Sequence, residues 1–383
     1  FSDFTELYKV TEKMPTVVLS ANTSWYIFNF RRNTILALIA EGYRVCVVAP
    51  KDSHTKKLES LGVQYFPIIF DQQSTNVVTE FLVIFKFYYI YKKLRPSIVL
   101  NFTPKNNIYG ALACKALGIP VISNISGLGT IFVSEGVKSF IVKHLYQISQ
   151  NKSGFIFFQN TRDRSLLSSL KGIEKIPSKM IPGSGVDLDK FSFMPSRFSD
   201  VTIFLLCSRM LVEKGVLEYL TAAKSLRLEY GEKVQFRLLG PVDLNSPSAI
   251  SYEDVMTWHQ SGIIQYLGFT DDVLPELSKA DCVVLPSFYG EGIPKSLIEA
   301  AAVGKPIITT DNVGCRDVVK NGVNGFLCEP RSAESLEKEM RRFMALSELE
   351  RYDMSCKGRA LAEQKFDEKI VIKAYLDVIE NLS

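Results

Sequence analysis

The feature that most constrains the fold of this 383-residue chain is a regular alternation of two kinds of segment. Short apolar runs of strand length, such as Thr16–Ser20 and Val45–Val48, are separated by longer segments with helical spacing, such as Tyr26–Ala40. Strands that alternate with helices along a chain form parallel sheets covered by helices on both faces. The sequence therefore predicts an α/β protein.

The alternation falls into two series, separated by the turn-rich linker Pro182–Arg197. In the first series we expect strands at Thr16–Ser20, Val45–Val48, Tyr65–Ile69, Ser97–Leu100, Val121–Asn124 and Gly154–Phe158, and helices at 26–40, 77–94, 106–117, 136–150 and 161–171. In the second series we expect strands at Thr202–Leu206, Gln235–Leu239, Ile263–Tyr266, Cys282–Leu285 and Pro306–Thr309, and helices at 214–228, 251–259, 271–279, 294–303 and 332–345.

Two series of this kind predict two Rossmann-like parallel-sheet domains, 14–186 and 200–366, that face each other across a cleft. A last helix, within 367–383, comes after all the strands and could pack back on the first domain. Ligands of open parallel sheets bind beyond the carboxyl ends of the strands. The cleft between the domains is therefore the expected binding site.

The composition argues against several classes of protein. The seven cysteines are scattered without any Cys-x-x-Cys pair, and there are only three histidines, so we predict no metal site. Cysteines in apolar runs are typical of buried free thiols, which indicates a reducing, cytoplasmic compartment. The longest apolar stretch, Phe81–Tyr91, is shorter than the roughly 18 residues that would span a bilayer.

Charge is distributed unevenly between the two halves. Residues 1–190 carry a net charge of +10 and residues 191–383 a net charge of −6. A basic half could face nucleic acid or an anionic membrane surface. Since no nucleic-acid-binding module is recognisable, we favour the membrane, with the basic amphipathic segments 80–95 and 136–152 lying on it. The alternative is that these are core helices with a solvated charged face.

Two carboxylates, Glu291 and Glu299, lie eight residues apart around a strand-to-helix junction that contains Gly292 and Pro294. A helix that begins at such a junction offers free backbone N–H groups to a phosphate. The carboxylates beside it would contact neutral hydroxyls, so the segment favours a phosphate-bearing, hydroxyl-rich ligand such as a nucleotide sugar. Paired carboxylates also occur in glycoside hydrolases, and a loop carboxylate with a packing Glu is a third interpretation.

Two cations follow the first strand of the second series, Arg209 and Lys214. At the carboxyl end of that strand they would point into the cleft, where fixed cations can neutralise a diphosphate. The alternative is a pair of ordinary surface cations.

The first domain offers fewer candidates. Gly127 and Gly129 follow a strand and would permit close backbone approach to a ligand, although a structural turn explains them equally well. The polar loop Asn22–Ser24 follows the first strand. Lys105 could meet an anionic acceptor, or could simply be solvated.

Several of these motifs together resemble the family 4 retaining, metal-independent glycosyltransferases, which have the GT-B fold. The specific segments are Pro286–Pro306, which carries the E-x7-E pattern of Glu291 and Glu299, Thr309–Asp317, Asn321–Leu327 and Pro182–Phe191, together with Arg209 and Lys214-Gly215. The chain is most similar to the bacterial branch that assembles lipid-linked surface polysaccharide and glycan precursors.

The resemblance implies a role for each matching residue. Arg209 and Lys214 would hold the donor diphosphate, Glu291 and the segment Gly292, Ile293, Pro294 and Lys295 would lie at the transferred sugar, Glu299 would meet the ribose, and Gly268, Phe269 and Thr270 would frame the nucleobase. Asn22, Thr23, Ser24, Lys105, Gly127 and Gly129 would lie on the acceptor side. The catalytic set would be Glu291, Lys214 and Arg209.

Two features depart from the family pattern. The glycine pair that many relatives carry after the first strand is replaced by Asn22–Ser24, and neither His54 nor His144 lies at a strand end that would place it in the cleft. A role for histidine is therefore in doubt. The reaction class is not, because attack on the donor from the same face as the leaving group needs no protein nucleophile.

The resemblance thus implies a cytoplasmic enzyme, peripheral on the inner face of the cytoplasmic membrane. It would move a hexose or N-acetylhexosamine from a UDP-sugar to a polyprenyl-diphosphate-linked saccharide, with no cofactor and no metal. Two alternatives remain open, a GT-B sugar-nucleotide epimerase and a non-catalytic protein that binds nucleotide sugars.

Overall fold

The computed structural model describes residues 14–70, 77–129, 132, 135–195, 199–243, 246–290 and 292–382, without the side chains of residues 77 and 78. Glu291, one of the predicted catalytic residues, lies outside the described residues. All the other predicted site residues lie within them.

The first domain contains a seven-stranded parallel sheet in the order β3-β2-β1-β4-β5-β6-β7. Its strands are β1 (Thr16–Ser20), β2 (Arg44–Ala49), β3 (Gln64–Pro67), β4 (Ile98–Asn101), β5 (Val121–Ile125), β6 (Phe155–Phe158) and β7 (Ser178–Met180). Its helices are α1 (Ser24–Ala40), α2 (Thr55–Glu59), α3 (Val77–Leu94), α4 (Ala111–Leu117), α5 (Val137–Gln150) and α6 (Thr161–Ser168), with a π-helical turn at Asn106–Gly110 before α4.

The second domain contains a six-stranded parallel sheet in the order β10-β9-β8-β11-β12-β13. Its strands are β8 (Thr202–Cys207), β9 (Val234–Leu239), β10 (Gln265–Tyr266), β11 (Cys282–Leu285), β12 (Ile307–Thr310) and β13 (Gly325–Cys328). Its helices are α7 (Val216–Tyr230), α8 (Tyr252–Gln260), α9 (Leu274–Lys279), α10 (Lys295–Val303), α11 (Ala333–Met344) and α12 (Glu348–Lys365), with 3-10 turns at Val212–Lys214, Gly231–Lys233 and Arg316–Val318.

The central strands are apolar along their whole length because helices cover both faces of each sheet. In β1, Val18 packs into the cluster on one face, with Phe87 of α3, while Val17 packs into the cluster on the other face. The second sheet is buried in the same way between two clusters. The two predicted parallel-sheet domains are therefore confirmed.

A last helix, α13 (Glu368–Leu382), returns to the first domain. Val371, Ala374, Tyr375 and Ile379 of α13 are buried in the same cluster as Val17 and Leu19 of β1. The chain thus crosses between the domains twice, and the two crossings lie side by side, since Val186 pairs with Asp367. The predicted return of the last helix is confirmed.

Several elements were not predicted: α2, β7, β13 and α12. The strand β7 is a short edge strand with the polar sequence Ser-Lys-Met, so it lacks the apolar alternation of a strand. The helix α12 buries mostly small residues, such as Ser355, Gly358 and Ala362, which gives no apolar stripe. Its start does carry a sequence signal, because Ser347 and Glu350 form a capping box.

Candidate active site

A cleft lies between the domains at the carboxyl ends of their strands. Its outer part, the larger cavity, has a volume of about 810 Å³. The second domain lines it with residues that follow β8, β9 and β10 and with the first turns of α10, and the first domain lines it with α1 and the end of α2. The ligand-binding edge of the second sheet therefore faces one long helix of the first domain.

A smaller cavity of about 250 Å³, the inner chamber, lies beside it between the domains. Cys207, Ser208, Arg209, Lys295 and Ser296 line both cavities, so the two adjoin each other. A large and a small compartment side by side suit an elongated ligand.

Arg209 and Lys214 both line the inner chamber, so the structure brings them together in the cleft. Gly215 lies between Lys214 and α7 and has a φ of 76°. A Cβ added to Gly215 would lie 2.2 Å from the carbonyl oxygen of Pro286. This close approach holds Lys214 beside the loop that follows β11, and its Nζ lies 5.8 Å from the centre of the Tyr289 ring. Arg209 is half exposed and pairs with Asp243 at 3.0 Å.

The loop before α10 and the first turns of α10 line the cleft. Gly292, Ile293, Pro294 and Lys295 line the inner chamber, and Glu299, one turn further along the helix, lines the larger cavity. Burial raises the pKa of Glu299 to about 7, although the Lys295 ammonium opposes this rise. Burial also lowers the pKa of Lys295. The pKa of the Glu299 carboxyl is thus close to neutral pH.

Lys295 also ties the two domains together. Its Nζ donates a hydrogen bond of 2.8 Å to the backbone oxygen of Asn29 and lies 4.9 Å from the centre of the Phe30 ring. Both partners belong to α1 of the first domain. The side chain of Lys295 is therefore a contact between the domains, which the sequence did not indicate.

Of the three residues predicted at the nucleobase, two line the larger cavity and one does not. Phe269 and Thr270 line the larger cavity, and Phe269 is half exposed there. Gly268 does not line it, and its carbonyl oxygen instead accepts a hydrogen bond of 2.8 Å from the backbone N–H of Gly240. That bond holds the loop after β10 against the loop after β9.

The loop around the undescribed Glu291 is pressed against the first domain. A Cβ at Gly292 would lie 2.2 Å from Gln159 Oε1 and 2.3 Å from the Ser126 carbonyl oxygen. A Cβ at Gly127 would lie 3.3 Å from the Gly290 carbonyl oxygen, and one at Gly129 would lie 3.4 Å from Tyr289 Oη. Gly127 and Gly129 thus lie against the loop that follows β11, but neither residue lines either cavity.

The remaining acceptor-side candidates do not line either cavity. The hydroxyl of Thr23 caps α1 by accepting a 3.0 Å hydrogen bond from the backbone N–H of Tyr26. Ser24 is buried, and its hydroxyl donates to the Pro50 carbonyl oxygen at 2.9 Å. Lys105 pairs with Glu80 at 2.6 Å, with both side chains largely buried. Asn22 also lies outside the lining of both cavities.

Some residues at the cleft were not singled out from the sequence. Asp187 and Lys190 line the larger cavity, and the Asp187 carboxylate accepts hydrogen bonds from the backbone N–H groups of Asp189 and Lys190. They belong to Pro182–Phe191, whose match to a family signature could have found them. Gln159 and Arg31 line the inner chamber. No sequence signal separates those two from ordinary polar residues.

His54 contacts the second domain without lining either cavity. Its Nε2 lies 3.1 Å from Asp271 Oδ1, and Lys57 Nζ lies 2.8 Å from Asp271 Oδ2. Asp271 follows Thr270 in the wall of the larger cavity. The first domain therefore braces the loop that was predicted to frame the nucleobase. Among the described residues, no group of three or more His, Cys, Asp or Glu is placed to hold a metal ion.

Two family models together match most of the chain. Residues 16–160 match the model described as glycosyl transferase 4-like, and residues 189–359 match the model described as glycosyl transferases group 1. The chain belongs to the glycosyltransferases of the family 4 type. The two matched regions correspond to the two parallel-sheet domains, and the glycosyltransferase activity predicted from the sequence is thereby supported.

Curated relatives extend over nearly the whole chain. An N,N'-diacetylbacillosaminyl-diphospho-undecaprenol alpha-1,3-N-acetylgalactosaminyltransferase of Campylobacter jejuni is 29% identical over 376 residues, which cover 93% of this chain and 96% of the relative. A UDP-Gal:alpha-D-GlcNAc-diphosphoundecaprenol alpha-1,3-galactosyltransferase of Escherichia coli is 22% identical over 328 residues, with 81% of this chain and 82% of the relative covered.

Solved structures share the fold. Alr3699/HepE of Anabaena, crystallised in complex with UDP, superposes with a TM-score of 0.74 at 18% identity, covering 96% of this chain and all of that chain. At this level of identity the likeness is evidence for the fold alone. The predicted GT-B architecture of the glycosyltransferase is thus confirmed.

Proposed function

We propose that this glycosyltransferase moves a hexose or N-acetylhexosamine from a UDP-sugar to a polyprenyl-diphosphate-linked saccharide, with retention of the anomeric configuration and without a metal ion. The observation that carries the proposal is the convergence of Arg209, Lys214 and the first turn of α10 on one inner chamber. Cations and free backbone N–H groups in one small space suit a diphosphate. The substrate classes are those of the Campylobacter jejuni and Escherichia coli relatives.

In the proposed arrangement the donor lies along the cleft. The diphosphate lies at Arg209 and Lys214, and the uridine extends into the larger cavity, with the ribose at Glu299 and the base at Phe269 and Thr270. The sugar lies at Gly292–Lys295, beside the loop that carries Glu291. This order follows the division of the cleft into a larger and a smaller cavity.

The reaction then needs no protein nucleophile. The acceptor hydroxyl oxygen forms a bond to the anomeric carbon as the bond from that carbon to the diphosphate oxygen breaks on the same face. The hydroxyl proton passes to the departing diphosphate. Lys214 and Arg209 stabilise the negative charge that develops on the leaving group, so catalysis consists largely of positioning and charge stabilisation. Two fixed cations take the part that a divalent metal plays in other transferases.

The acceptor would approach along the first domain. Asn22, Thr23, Ser24, Lys105, Gly127 and Gly129 remain the residues proposed for the acceptor side, and Gly127 and Gly129 have the best support because they contact the loop around Glu291. The epimerase and the non-catalytic binding protein are not favoured, since both family models describe glycosyltransferases.

An exposed apolar and basic surface of the first domain supports the proposal of a lipid-linked acceptor. Phe81, Phe85 and Tyr89 of α3 and Val137 and Phe140 of α5 are exposed. Both helices pack on the same face of the first sheet, and Lys86, Lys92, Lys138 and Lys143 lie on them. Exposed aromatics beside lysines suit the headgroup layer of an anionic membrane. Within the described part of the chain, no helix combines the length and the apolar character needed to span a bilayer.

We therefore propose a cytoplasmic enzyme that lies peripherally on the inner face of the cytoplasmic membrane and does not bind nucleic acid. A Phe85→Asp, Phe140→Asp double variant should lose flotation with vesicles of anionic lipid at low salt, because it removes apolar area and adds negative charge. A matched Leu228→Asp, Leu349→Asp variant changes two exposed apolar residues of the second domain and should still float. Equal flotation of all three proteins would contradict the proposed surface.

The proposed reaction is tested by incubating the enzyme with UDP-N-acetylhexosamines and UDP-hexoses together with undecaprenyl-diphosphate-linked mono- and disaccharides, followed by mass spectrometry. We expect one donor–acceptor pair to give a lipid-linked product with an α-linkage by NMR, at a rate unchanged by EDTA. Conversion of the UDP-sugar to an epimer without any acceptor would instead identify an epimerase. Loss of activity in EDTA would contradict the proposed independence from metal.

A further inference from the structure

Arg31 is the largest fully buried side chain among the described residues, and it carries a charge. It lies on α1 of the first domain with only 1% of its surface exposed, and it lines the inner chamber. Its guanidinium carbon lies 4.5 Å from the centre of the Phe102 ring and 5.6 Å from that of Tyr375. The side chain is thus held between a strand end of the first sheet and the returning helix α13.

The guanidinium group of Arg31 makes no hydrogen bond to any described group through Nε, Nη1 or Nη2. Burial lowers the pKa of the guanidinium, but the neighbouring phenol groups of Tyr375 and Tyr26 raise it above its usual value, and the Tyr26 hydroxyl is close enough to act as a weak hydrogen-bond partner. Burial of an unpaired cation is strongly unfavourable. Stacking on two aromatic rings offsets only part of that cost. A buried arginine at the wall of a chamber, with no nitrogen in a hydrogen bond of good geometry, is suited to bind an anionic group of a ligand.

The lining of the inner chamber is positively charged, so it would attract an anionic group of a ligand. Arg31, Arg209, Lys214 and Lys295 line it from the two domains, and no Asp or Glu is among its described lining residues. Three of these cations belong to the second domain, so Arg31 is the contribution of the first. An anion that enters the chamber would be enclosed by cations from both sides.

We propose that Arg31 binds a phosphate group of a bound substrate and is the first domain's cation in the diphosphate site. The inference rests on the proposed function and deepens it. A guanidinium presents several N–H donors in a plane, which suits a phosphate better than an ammonium does. The phosphate could belong to the donor diphosphate or to the diphosphate of the lipid-linked acceptor. In both cases Arg31 would contact, from the first domain, the charge that Arg209 and Lys214 contact from the second.

The test compares Arg31→Met, Arg31→Lys and two controls in the full chain. Arg164→Met removes an exposed cation of the first domain, on α6, and Phe102→Leu removes the stacking partner while Arg31 keeps its charge. For each protein, affinities for UDP and for inorganic pyrophosphate are measured by calorimetry. Values of kcat/KM are measured with a polyprenyl-diphosphate-linked saccharide and with the same saccharide as a neutral alkyl glycoside. The melting temperature is measured throughout.

If Arg31 binds the donor phosphate, Arg31→Met should weaken UDP binding by about tenfold or more, with partial recovery in Arg31→Lys. If it binds the acceptor phosphate, UDP binding should stay unchanged. The ratio of kcat/KM for the diphosphate acceptor over the neutral acceptor should then fall by a similar factor. Arg164→Met should change neither quantity. Either result supports an anion-binding role and identifies the source of the phosphate.

The proposal is overturned if Arg31→Met leaves UDP and pyrophosphate binding unchanged and lowers activity with both acceptors equally. It is also overturned if Phe102→Leu reproduces every kinetic effect, since Arg31 would then act through packing alone. Should Arg31→Met fail to fold, the same comparisons are made with Arg31→Lys. A wild-type enzyme that binds UDP but uses neither acceptor would contradict the proposed function, while UDP and pyrophosphate binding would still decide the role of Arg31.

Discussion

The two walls of the cleft are built in different ways. The second domain contributes the ends of its strands and the turns that follow them, and the residues that line the cleft there fall in short, recognisable segments around Arg209, Phe269 and Lys295. The first domain contributes mainly one helix, α1, from Trp25 to Asn33. A strand-to-helix turn has a fixed direction relative to its sheet, whereas the face that a helix presents depends on how it packs.

This contrast explains why one wall was easier to predict than the other. At the carboxyl ends of parallel strands, side chains such as those of Arg209 and Lys214 reach the same edge of the sheet. In the first domain the side chains of the loop after β1 are occupied within that domain, because Thr23 caps α1 and Ser24 is hydrogen-bonded to Pro50. The aromatic and polar residues one turn later in α1 therefore face the cleft in place of that loop.

The largest effect is expected from Lys214→Ala, which tests the catalytic contribution of the second-domain wall. If the second domain supplies the charge that stabilises the leaving diphosphate, kcat should fall by about a hundredfold or more, while the melting temperature stays within a few degrees. Steady-state kinetics with a saturating donor measure this loss. The exposed Lys224 of α7 provides the matched control, and Lys224→Ala should retain wild-type kcat. A near-normal kcat in Lys214→Ala would contradict a catalytic role for the second-domain wall.

The next test breaks the contact between the walls. Gly292→Ala would place a Cβ 2.3 Å from the Ser126 carbonyl oxygen, which is backbone and cannot move aside cheaply. We expect the domains to be forced apart locally and kcat to fall by about tenfold or more, because misplacement of the reacting groups by a fraction of an ångström is costly. Gly290→Ala, where an added Cβ meets nothing within 4 Å, is the control. Equal activity in the two variants would show that closure at this loop is not needed.

A smaller effect is expected from the pH dependence of Glu299. Folding raises the pKa of this carboxyl from 4.5 to about 7, so the folded protein binds its proton more tightly than the unfolded chain does. The contribution of Glu299 to the stability of the wild-type protein should therefore fall as the pH rises from 4.5 to 7, by at most about 3 kcal/mol. Glu299→Gln should lack this loss, which denaturant titrations across that pH range would measure.

The same titration has a kinetic consequence if Glu299 accepts hydrogen bonds from the ribose. The donor KM of the wild-type enzyme should fall several-fold as the pH rises through 7 and the carboxyl ionises. In Glu299→Gln the donor KM should be flat over the same range. A wild-type KM that does not change between pH 6 and 8 would contradict contact of an ionised Glu299 with the donor.

The smallest effect on catalysis is expected at Lys105, on the wall that the sequence predicted least well. Its ammonium pairs with the largely buried Glu80, so Lys105→Met should cost about 2 kcal/mol of stability by leaving that carboxylate unpaired. If the pair is only structural, Lys105→Met, Glu80→Leu should restore much of the stability with normal acceptor kinetics. A raised acceptor KM in both variants would instead support the proposed acceptor role of Lys105.

The sequence by itself determined the architecture and the segments with which the second domain lines the cleft. Apolar runs that alternate with helices specify parallel sheets wherever both faces must be covered, and the residues of one strand-to-helix turn stay together because the chain connects them. Short or polar elements such as β7 and α12 gave no such signal, since their places are fixed by neighbours that are distant in sequence.

Only the tertiary structure decided what the first domain brings to the cleft. Arg31 is buried between Phe102 and Tyr375, and Tyr375 belongs to a helix that returns from the far end of the chain. Lys295 reaches the backbone of Asn29 in the other domain. Contacts of this kind depend on how whole elements pack against each other, and no local pattern of residues encodes that packing.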